Sequence, residues 1–405
     1  MKKALVLAGG LPQIELINEL KQRGYYTILA DYSVRPLAEK YADKFYREST
    51  LDIPKITEIA LEEKADMIIS CCTDQALSTV AVVADKLGLP CYIDEQTGWN
   101  VTNKREMKRI FKENGIPTAP FVITDTEDVN VEMKYPLVVK PVDCNSSKGV
   151  VKVYRAEELK EAIKGSLAYS RDNKAIIEEF VDGEEISVDA FVTDGKVEIL
   201  CTSCSEKINN DRGFVIWKGI SPATDDANII HKIYSIICKI VDAFKLNNCP
   251  MLVQMIKHGE ELSVIEFSAR TGGCLKYRMI EKACGFDVIK ATVDLFESRK
   301  VNINLIEQKK MISDEFLYCN AGVFDHIEGA DICKKNGWIT EFYELKRKGT
   351  EFHHVGCSGD RVAAILIEAE NYDEYVDKHN KVAASLKVID VSGNDIMRHD
   401  LYPVL

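Results

Sequence analysis

MLVQMIKHGEELSVIEFSARTGG runs from Met251 to Gly273. Two apolar runs, Met251–Ile256 and Leu262–Ala269, flank a polar stretch, Lys257–Glu261, that contains Gly259. Runs rich in Val, Ile, Leu and Phe around a glycine-containing turn predict a β-hairpin. With Ile256 paired to Leu262, Gln254 lies opposite Val264 and diagonal to Glu266, and Gln254, Glu266 and Ser268 share one face. A carboxylate in an apolar hairpin is costly unless something cationic meets it. Arg270 and the bare backbone of Gly272 and Gly273 follow at once. A hard divalent cation with phosphates would satisfy carboxylate, guanidinium and backbone together, because Mg²⁺ takes few protein oxygens and shares the rest with phosphate. A Glu266–Arg270 ion pair closing the strand is the plain structural alternative.

The chain around this hairpin has 405 residues, too many for one ordinary core, so two or three domains are expected. Hydrophobic residues at 46% and charged residues at 29% are those of a soluble globular protein. A formal net charge of −12 at pH 7, with no Lys/Arg block, argues against nucleic acid as a partner. No apolar run approaches membrane-spanning length, so no membrane partner is expected. The opening MKKALVLAGG reads as a strand and a turn rather than a signal peptide. Thirteen cysteines scattered through a long chain predict a reducing, cytoplasmic setting. Cys201-Thr-Ser-Cys204, with His353, His354 and Cys357 as further candidate ligands, lacks the second close pair a zinc site wants. Buried strand cysteines acting as small hydrophobes are the expectation.

Residues 2–94 alternate strand and helix. The reading is a strand at Ala4–Leu7, a turn at Gly9-Gly10, a helix at Pro12–Arg23 and a strand at Tyr25–Ala30 ending at Asp31. Helices around Arg35–Asp43 and at Pro54–Lys64, a strand at Asp66–Cys71, a helix at Thr73–Leu87 and a short strand at Cys91–Ile93 follow. That order predicts a parallel doubly wound sheet. Ligands of such sheets bind at the carboxyl ends of the strands, here Gly9, Gly10, Asp31 and Asp74. GxGxxG is absent, since Leu11 stands where the second glycine belongs. A nicotinamide dinucleotide is therefore disfavoured, and a small anion at the start of the helix at Leu11–Pro12 is the better reading.

Asn103 predicts an N-cap, with Glu106 completing a capping box and Met107, Ile110 and Phe111 as the apolar face. Lys104 then falls in the first turn, where the helix dipole disfavours a cation unless it is held for an anion. Tyr135–Pro141 reads as a strand ending at Lys140. The loop that follows carries Ser146, Ser147, Lys148 and Gly149, and small polar loops of this kind wrap phosphates with backbone N–H groups. It is not GxxxxGK[ST], which disfavours a Walker-type NTPase. A helix at Ala156–Ser170 comes next. Residues 175–191 read as two strands around a turn, with Glu178, Glu179 and Glu185 at the edges.

The ordered set resembles the ATP-grasp superfamily of carboxylate–amine ligases over about residues 1–300. It comprises NK at 103–104 with GIP at 115–117, PLVVKP at 136–141, SSKGV at 146–150, IIEEFVDGEEISVD at 176–189, and VQM with IEFSARTGG in the hairpin. The resemblance implies a Rossmann-like N-terminal domain over residues 1–95 and a central ATP-grasp domain over 96–300. The central domain would have two subdomains, the smaller lid at about 118–182. ATP would lie between them, with Mg²⁺, or Mn²⁺ in its place. It implies that Lys104 and Lys140 contact the α- and β-phosphates and that Ser146, Ser147, Lys148 and Gly149 cover the phosphates. Glu178 and Glu179, with the backbone of Phe180 and Val181, would read adenine, and Glu185 the ribose. Gln254, Glu266 and Ser268 would hold the metal. Arg270 and Lys148 would serve the transferring phosphoryl group. Gln254 stands where the family has an acid and Ser268 where it has an asparagine, and both are weaker Mg²⁺ ligands than carboxylate.

Segment 205–222 reads as a pocket loop offering Lys207, Arg212 and Lys218. Lys276 and Arg278 open the next helix and are placed for a substrate carboxylate, with Arg278 favoured because a guanidinium forks onto a carboxylate. Residues 301–405 carry strands at Phe316–Phe324, Trp338–Lys346 and Arg361–Glu370 and a helix at Tyr372–Leu386. They make a small α+β C-terminal domain similar to that of amino-acid ligases and purine-pathway relatives. The chain as a whole is α/β and α+β. The resemblance implies an enzyme that joins a small carboxylic acid to an amine, both of amino-acid type, through an acyl phosphate, releasing ADP and phosphate. Its domain combination looks most like that of L-amino-acid ligases. Carbamoyl phosphate synthetase-like or biotin carboxylase-like activity, or a non-catalytic ATP-binding regulator, are the alternatives. Phosphoryl transfer needs positioning and charge neutralisation rather than a nucleophilic side chain. A homodimer is the base-rate expectation for assembly.

Overall fold

The computed structural model describes residues 1–145, 147–208 and 214–405, so Ser146 and Arg212 lie outside the described residues. β1 (Lys3–Leu7), β2 (Tyr26–Ala30), β3 (Lys44–Tyr46) and β4 (Met67–Ile69) form a parallel sheet in the order β3-β2-β1-β4. β1 and β2 are buried over nearly their whole length, as a sheet covered on both faces requires. α1 (Leu11–Gln22), α2 (Ile53–Glu63) and α3 (Asp74–Leu87) connect them. Pro12 sits in the first turn of α1, Asp52 accepts from the Lys55 N–H to cap α2, and left-handed Gly88 ends α3.

The helix expected around Arg35–Asp43 is only a 3₁₀ turn at Glu39–Tyr41, and β3 follows it. The Asp43 carboxylate accepts from the Thr27 N–H and hydroxyl at 2.8 and 2.9 Å, which pins this segment alongside β2. Cys91–Ile93 forms no strand. Tyr92 instead donates to the Ala269 carbonyl at 2.9 Å and packs edge-on against Phe296.

α4 (Glu95–Thr102) and α5 (Lys104–Glu113) lead to the central region. Asn103 caps α5, accepting from the N–H groups of Arg105 and Glu106. The reciprocal half of the expected capping box is missing, because α4 runs into the cap and the Asn103 N–H bonds the Trp99 carbonyl. Glu106 pairs with Arg105 and Arg109 instead.

β5 (Phe121–Thr124), β6 (Leu137–Pro141), β7 (Val151–Val153) and β8 (Ala175–Glu179) make a small antiparallel sheet, order β5-β8-β6-β7, backed by α6 (Ala156–Tyr169). The larger sheet begins with β9 (Glu184–Thr193), β10 (Lys196–Lys207) and β11 (Ile216–Ser221). β8 and β9, the two strands read around a turn, both form, and they belong to different sheets. Gly183 makes the crossing at φ 153°, where a Cβ would stand 2.2 Å from the Lys257 carbonyl oxygen.

α7 (Ala227–Phe244), β12 (Cys249–His258), β13 (Glu261–Ser268), α8 (Lys276–Cys284), α9 (Val288–Phe296) and β14 (Met311–Leu317) follow. β15 (Gly322–Glu328), α10 (Ala330–Lys335), β16 (Glu341–Glu344), β17 (Glu351–Phe352), β18 (Ala363–Ala369), α11 (Tyr372–Ser385) and β19 (Lys387–Asp390) complete the chain. The large sheet has the order β13-β12-β9-β10-β11-β14-β18-β16, so it crosses residue 300 without a break.

The strand expected over Phe316–Phe324 divides into β14 and β15, which lie in different sheets. At the break, Cys319 bridges to Met397 and the Asn320 N–H bonds the Ile396 carbonyl. The strand expected at Trp338–Lys346 contracts to β16. In α11, Tyr375 and Val382 are buried, whereas Tyr372, expected on the same stripe, is exposed.

The β12–β13 hairpin forms, but in another register. A bulge between Gln254 and Met255 passes over Ile265 and sets Gln254 directly opposite Glu266, while Met255 pairs with Val264. Among the described residues, no helix is long and apolar enough to cross a membrane.

Candidate active site

A cavity of about 660 Å³ opens between the small sheet, the large sheet and the carboxyl end of the N-terminal sheet. At one end it is lined by the small sheet. There Glu178 on β8 is buried and ion-paired to Lys140 on β6 and, at 2.6 Å, to Lys108 on α5. Burial alone would raise the Glu178 carboxyl; the two lysines overcome it and hold it at about 2. Burial likewise works against charge on Lys140, but Glu178 and Glu266 outweigh it and raise that lysine, while Lys108 is lowered chiefly by burial. Lys104, at the start of α5, donates to the Cys144 carbonyl at 2.8 Å and lies 3.1 Å from the Glu266 carboxylate.

In the loop after β6, Gly149 is left-handed, and a Cβ there would meet Pro141 and Tyr169 at 2.9 Å. Ser147 donates to the Phe214 carbonyl at 3.2 Å, reaching across to the large sheet's side. Lys148 lines the cavity with no ion pair among the described residues. Glu179, Phe180 and Val181 line the same end, and Lys152 sits 3.3 Å from the centre of the Phe180 ring.

The facing wall comes from the large sheet. Glu185 accepts from Gln254 Nε2 at 3.1 Å and pairs with Lys207 at 2.6 Å. Ser268 lies in a small side pocket that Glu266, Gln254, Lys104 and Asp74 also border. Arg270 holds Asp74, the first residue of α3, through two nitrogens, with Nε to Oδ1 at 2.6 Å. That pair ties the hairpin to the N-terminal sheet, and the alternative Glu266–Arg270 pairing is not what forms.

The Gly9 N–H donates to Asp31 at 2.8 Å, and Asp31 also accepts from Ser33. A Cβ on Gly9 would meet Pro36 at 2.4 Å, and Gly10 caps α1. With its carboxylate so engaged, Asp31 is a backbone clamp.

Lys276 lines the cavity and bonds Ser203 at 2.8 Å and Asp314 at 3.3 Å. Arg278, favoured for a substrate carboxylate, lies outside the cavity lining, in a double hydrogen bond to Glu341 at 2.8 and 2.9 Å. Two positions on a helix are about 200° apart, so once Lys276 faces the cavity Arg278 must face away from it. Lys218 is buried outside the lining, where it pairs with Glu206.

Asp189 went unread in the sequence. It accepts from the Gly272 N–H at 2.7 Å, and burial raises it to about 6. Lys108 also went unread, although it sits one helical turn beyond Lys104 on the same face of α5. Cys201 is buried beside Ser221, and no group of three or more His, Cys, Asp or Glu side chains able to hold a metal occurs among the described residues.

Buried lysines line a cavity between two antiparallel sheets, bordered by a small-residue loop on one side and by the carboxylate hairpin on the other, in an α+β frame. Residues 133–277 match the family model of the ATP-grasp domain. The L-arginine-specific L-amino acid ligase of Bacillus subtilis is 23% identical over 356 residues, covering 84% of this chain and 85% of the relative. The formate-dependent phosphoribosylglycinamide formyltransferase of Ignicoccus hospitalis is 26% identical over 252 residues, covering 60% of this chain and 62% of that protein, so less than two thirds of its length is matched. In fold, the chain is similar to an L-amino acid ligase from Bacillus licheniformis, with a TM-score of 0.79 at 18% identity over 96% of this chain and 99% of that one.

Proposed function

We propose that this chain is an ATP-dependent carboxylate–amine ligase. A carboxylate oxygen of the acid attacks the γ-phosphorus of ATP, the bond to ADP breaks, and an acyl phosphate results. The amine nitrogen then attacks the acyl carbon, phosphate leaves, and the nitrogen gives up its proton. The observation that carries this reading is that Lys140, Ser147 and Lys148 on the small-sheet side share a cavity with Gln254, Glu266 and Arg270 on the other.

In this reading Lys104 and Lys140 hold the α- and β-phosphates, Lys148 closes over the γ-phosphate, and Arg270, kept in place by Asp74, faces the transferring group. Phe180 and Val181 border adenine, and Glu185 the ribose. The donor set fits one Mg²⁺: the Glu266 carboxylate is 31% exposed, Ser268 adds a hydroxyl, and the Gln254 amide nitrogen is turned to Glu185. When bound, Mg²⁺ would neutralise phosphate charge, with most of its oxygens supplied by phosphate and water. Amino acids as both acid and amine agree with the amino acid ligase among the relatives. Thirteen free cysteines suit a reducing cytoplasm.

The test is ADP release with Mg·ATP and pooled amino acids and small carboxylic acids, with mass spectrometry of the products. ADP that depends on an acid–amine pair, together with a condensed mass, establishes the ligase. ATP binding without turnover on any pair overturns it in favour of a regulatory nucleotide binder, the reading that the neutral Gln254 would then support.

A further inference from the structure

Seven carboxylates line the cavity, and four have both oxygens engaged. Asp31 accepts from the N–H groups of Gly9 and Ser33, one on each oxygen. Arg270 takes both oxygens of Asp74, Lys108 and Lys140 take those of Glu178, and Gln254 and Lys207 take those of Glu185. Glu179 lies at the small-sheet end and accepts from the Lys134 N–H, and Glu266 is the proposed Mg²⁺ ligand. Asp314, on β14, is the one left.

Asp314 is 2% exposed and pairs across the sheet with Gly219 on β11 and Leu366 on β18. Its Oδ1 lies 3.3 Å from Lys276 Nζ, which also donates to the Ser203 hydroxyl at 2.8 Å. Its Oδ2 has no hydrogen bond to another described residue. Gly219 leaves room for the carboxylate: a Cβ there would stand 2.4 Å from Asp314 Oδ1 and 3.1 Å from Lys276 Nζ. The other titratable groups around it are Arg361 before β18, Asp189 on β9 and the thiols of Cys201 and Cys274. Burial pushes those thiols up to about 12 and about 11, so they stay neutral. Burial also raises the Asp314 carboxyl above its ordinary value, against the pull of Lys276 and Arg361. A buried carboxylate oxygen without a donor is costly, and a carboxylate can only accept. The missing partner is therefore a donor, and a cationic one makes the stronger bond.

The position suits an amine. Arg270 runs into Gly272, where a Cβ would stand 2.5 Å from Lys276 Cγ, and Lys276 reaches Asp314. Asp314 thus lies just beyond the end of the hairpin proposed to serve phosphoryl transfer.

We propose that Asp314 is the amine-binding residue of the ligase, its Oδ2 accepting a hydrogen bond from the substrate ammonium and then taking one of its protons. The N–H bond breaks, an O–H bond forms on Asp314, and the freed electron pair attacks the acyl carbon as phosphate leaves. The nitrogen's second proton departs with phosphate, and Asp314 returns its own to water. The proton step rests on the ligase reading; binding of an amine cation does not.

The test has two arms, both on the full chain. Calorimetric titration with glycinamide, an amine cation that lacks a carboxylate, should saturate, and titration with acetamide should not. Asp314→Asn and Gly219→Ala should each weaken glycinamide by about tenfold or more, the loss of one charge-assisted hydrogen bond, while the ADP Kd stays within about twofold and so reports folded variants. In the second arm, the chain turns over Mg·ATP and pooled amino acids with and without hydroxylamine, which attacks as a neutral amine near pH 7. The ratio of condensed product to hydroxamate should fall by about tenfold or more in Asp314→Asn, and recover as pH rises from 7 to 9 and the amine loses its proton unaided. No saturation by glycinamide, equal affinity in parent and Asp314→Asn, or a ratio that is unchanged or falls equally at every pH overturns the assignment. Absence of product in both mixtures overturns the ligase reading alone, since glycinamide binding still tests Asp314.

Discussion

Glu178 shows how one buried carboxylate can organise a cation site. Its two lysines are both nearly enclosed, and among the described residues neither has another carboxylate within ion-pair distance. Glu178→Gln keeps the shape but leaves Lys108 and Lys140 buried against a neutral amide. Breaking a buried pair in this way costs about 3–5 kcal/mol. The sign with pH follows from the depressed carboxyl. It lies at about 2 when folded, against an ordinary 4.5, so it stabilises the fold above pH 4.5, by about 3 kcal/mol, and that stability drains away as pH falls toward 2. Asp189 works the other way. Raised to about 6, it holds a proton in the fold that the unfolded chain has released, so stability falls as pH rises from about 4 to 6. Urea unfolding between pH 3 and 7 should therefore show Glu178→Gln with a lower plateau and a flatter acid limb, and Asp189→Asn without the decline between pH 4 and 6. An acid limb in Glu178→Gln parallel to that of the parent chain would show that the carboxylate is not held as its lysines imply.

The β12–β13 hairpin carries the metal question. Because the bulge sets Gln254 directly across from Glu266, a carboxylate at 254 would stand beside both Glu266 and Glu185. With Gln254 in place, Glu266, Glu185 and Glu178 are each matched by a lysine, so a bare divalent cation gains little beside them. Counting bound Mn²⁺ by electron paramagnetic resonance with a non-hydrolysable ATP analogue should give one ion per chain, and none without nucleotide. Gln254→Glu should raise the count to two; two ions in the parent chain would refute the argument. Much at this scale was legible in the sequence. The βα alternation, the Asn103 cap, the glycine turn at 259 and the separate motif pieces all rest on contacts within a few residues. The misses rest on longer contacts. A bulge at one residue changes which partner faces Gln254, the Thr27–Asp43 bonds pin the end of the segment expected as a helix alongside β2, and Gly183 sends β8 and β9 into different sheets. Arg278 is a different kind of miss, because the helical angle between it and Lys276 was already readable. Asp314 left no local signal, since only the fold brings β14 to the cavity.

Across the whole molecule, burial is unevenly shared. One apolar cluster joins the N-terminal sheet to α8, α9 and the strands after residue 310, and a second lies between α7 and the large sheet. The small sheet keeps to a third and much smaller cluster, built from residues such as Leu137, Val139, Ile163 and Ile177 against α6. Regions with few buried apolar contacts open locally at lower free energy than the rest of a fold. Amides of β5, β6, β7 and β8 should therefore exchange faster than those of β9, β12 and β14, although all are hydrogen-bonded in ladders. The cavity gives that difference a function, because Lys140, Lys148 and Phe180 come from the small-sheet side and Glu185, Gln254 and Glu266 from the large one. A ligand that bridges the two sides binds the assembled arrangement and adds its own free energy to the weaker sheet. Hydrogen–deuterium exchange with and without saturating ADP should show protection concentrated in β6, β8 and the 142–150 loop, by tenfold or more, with β14 and β18 nearly unchanged. Protection spread evenly over all three clusters would mean that the small sheet opens only with the rest of the chain, and that entry to the cavity does not depend on its separate motion.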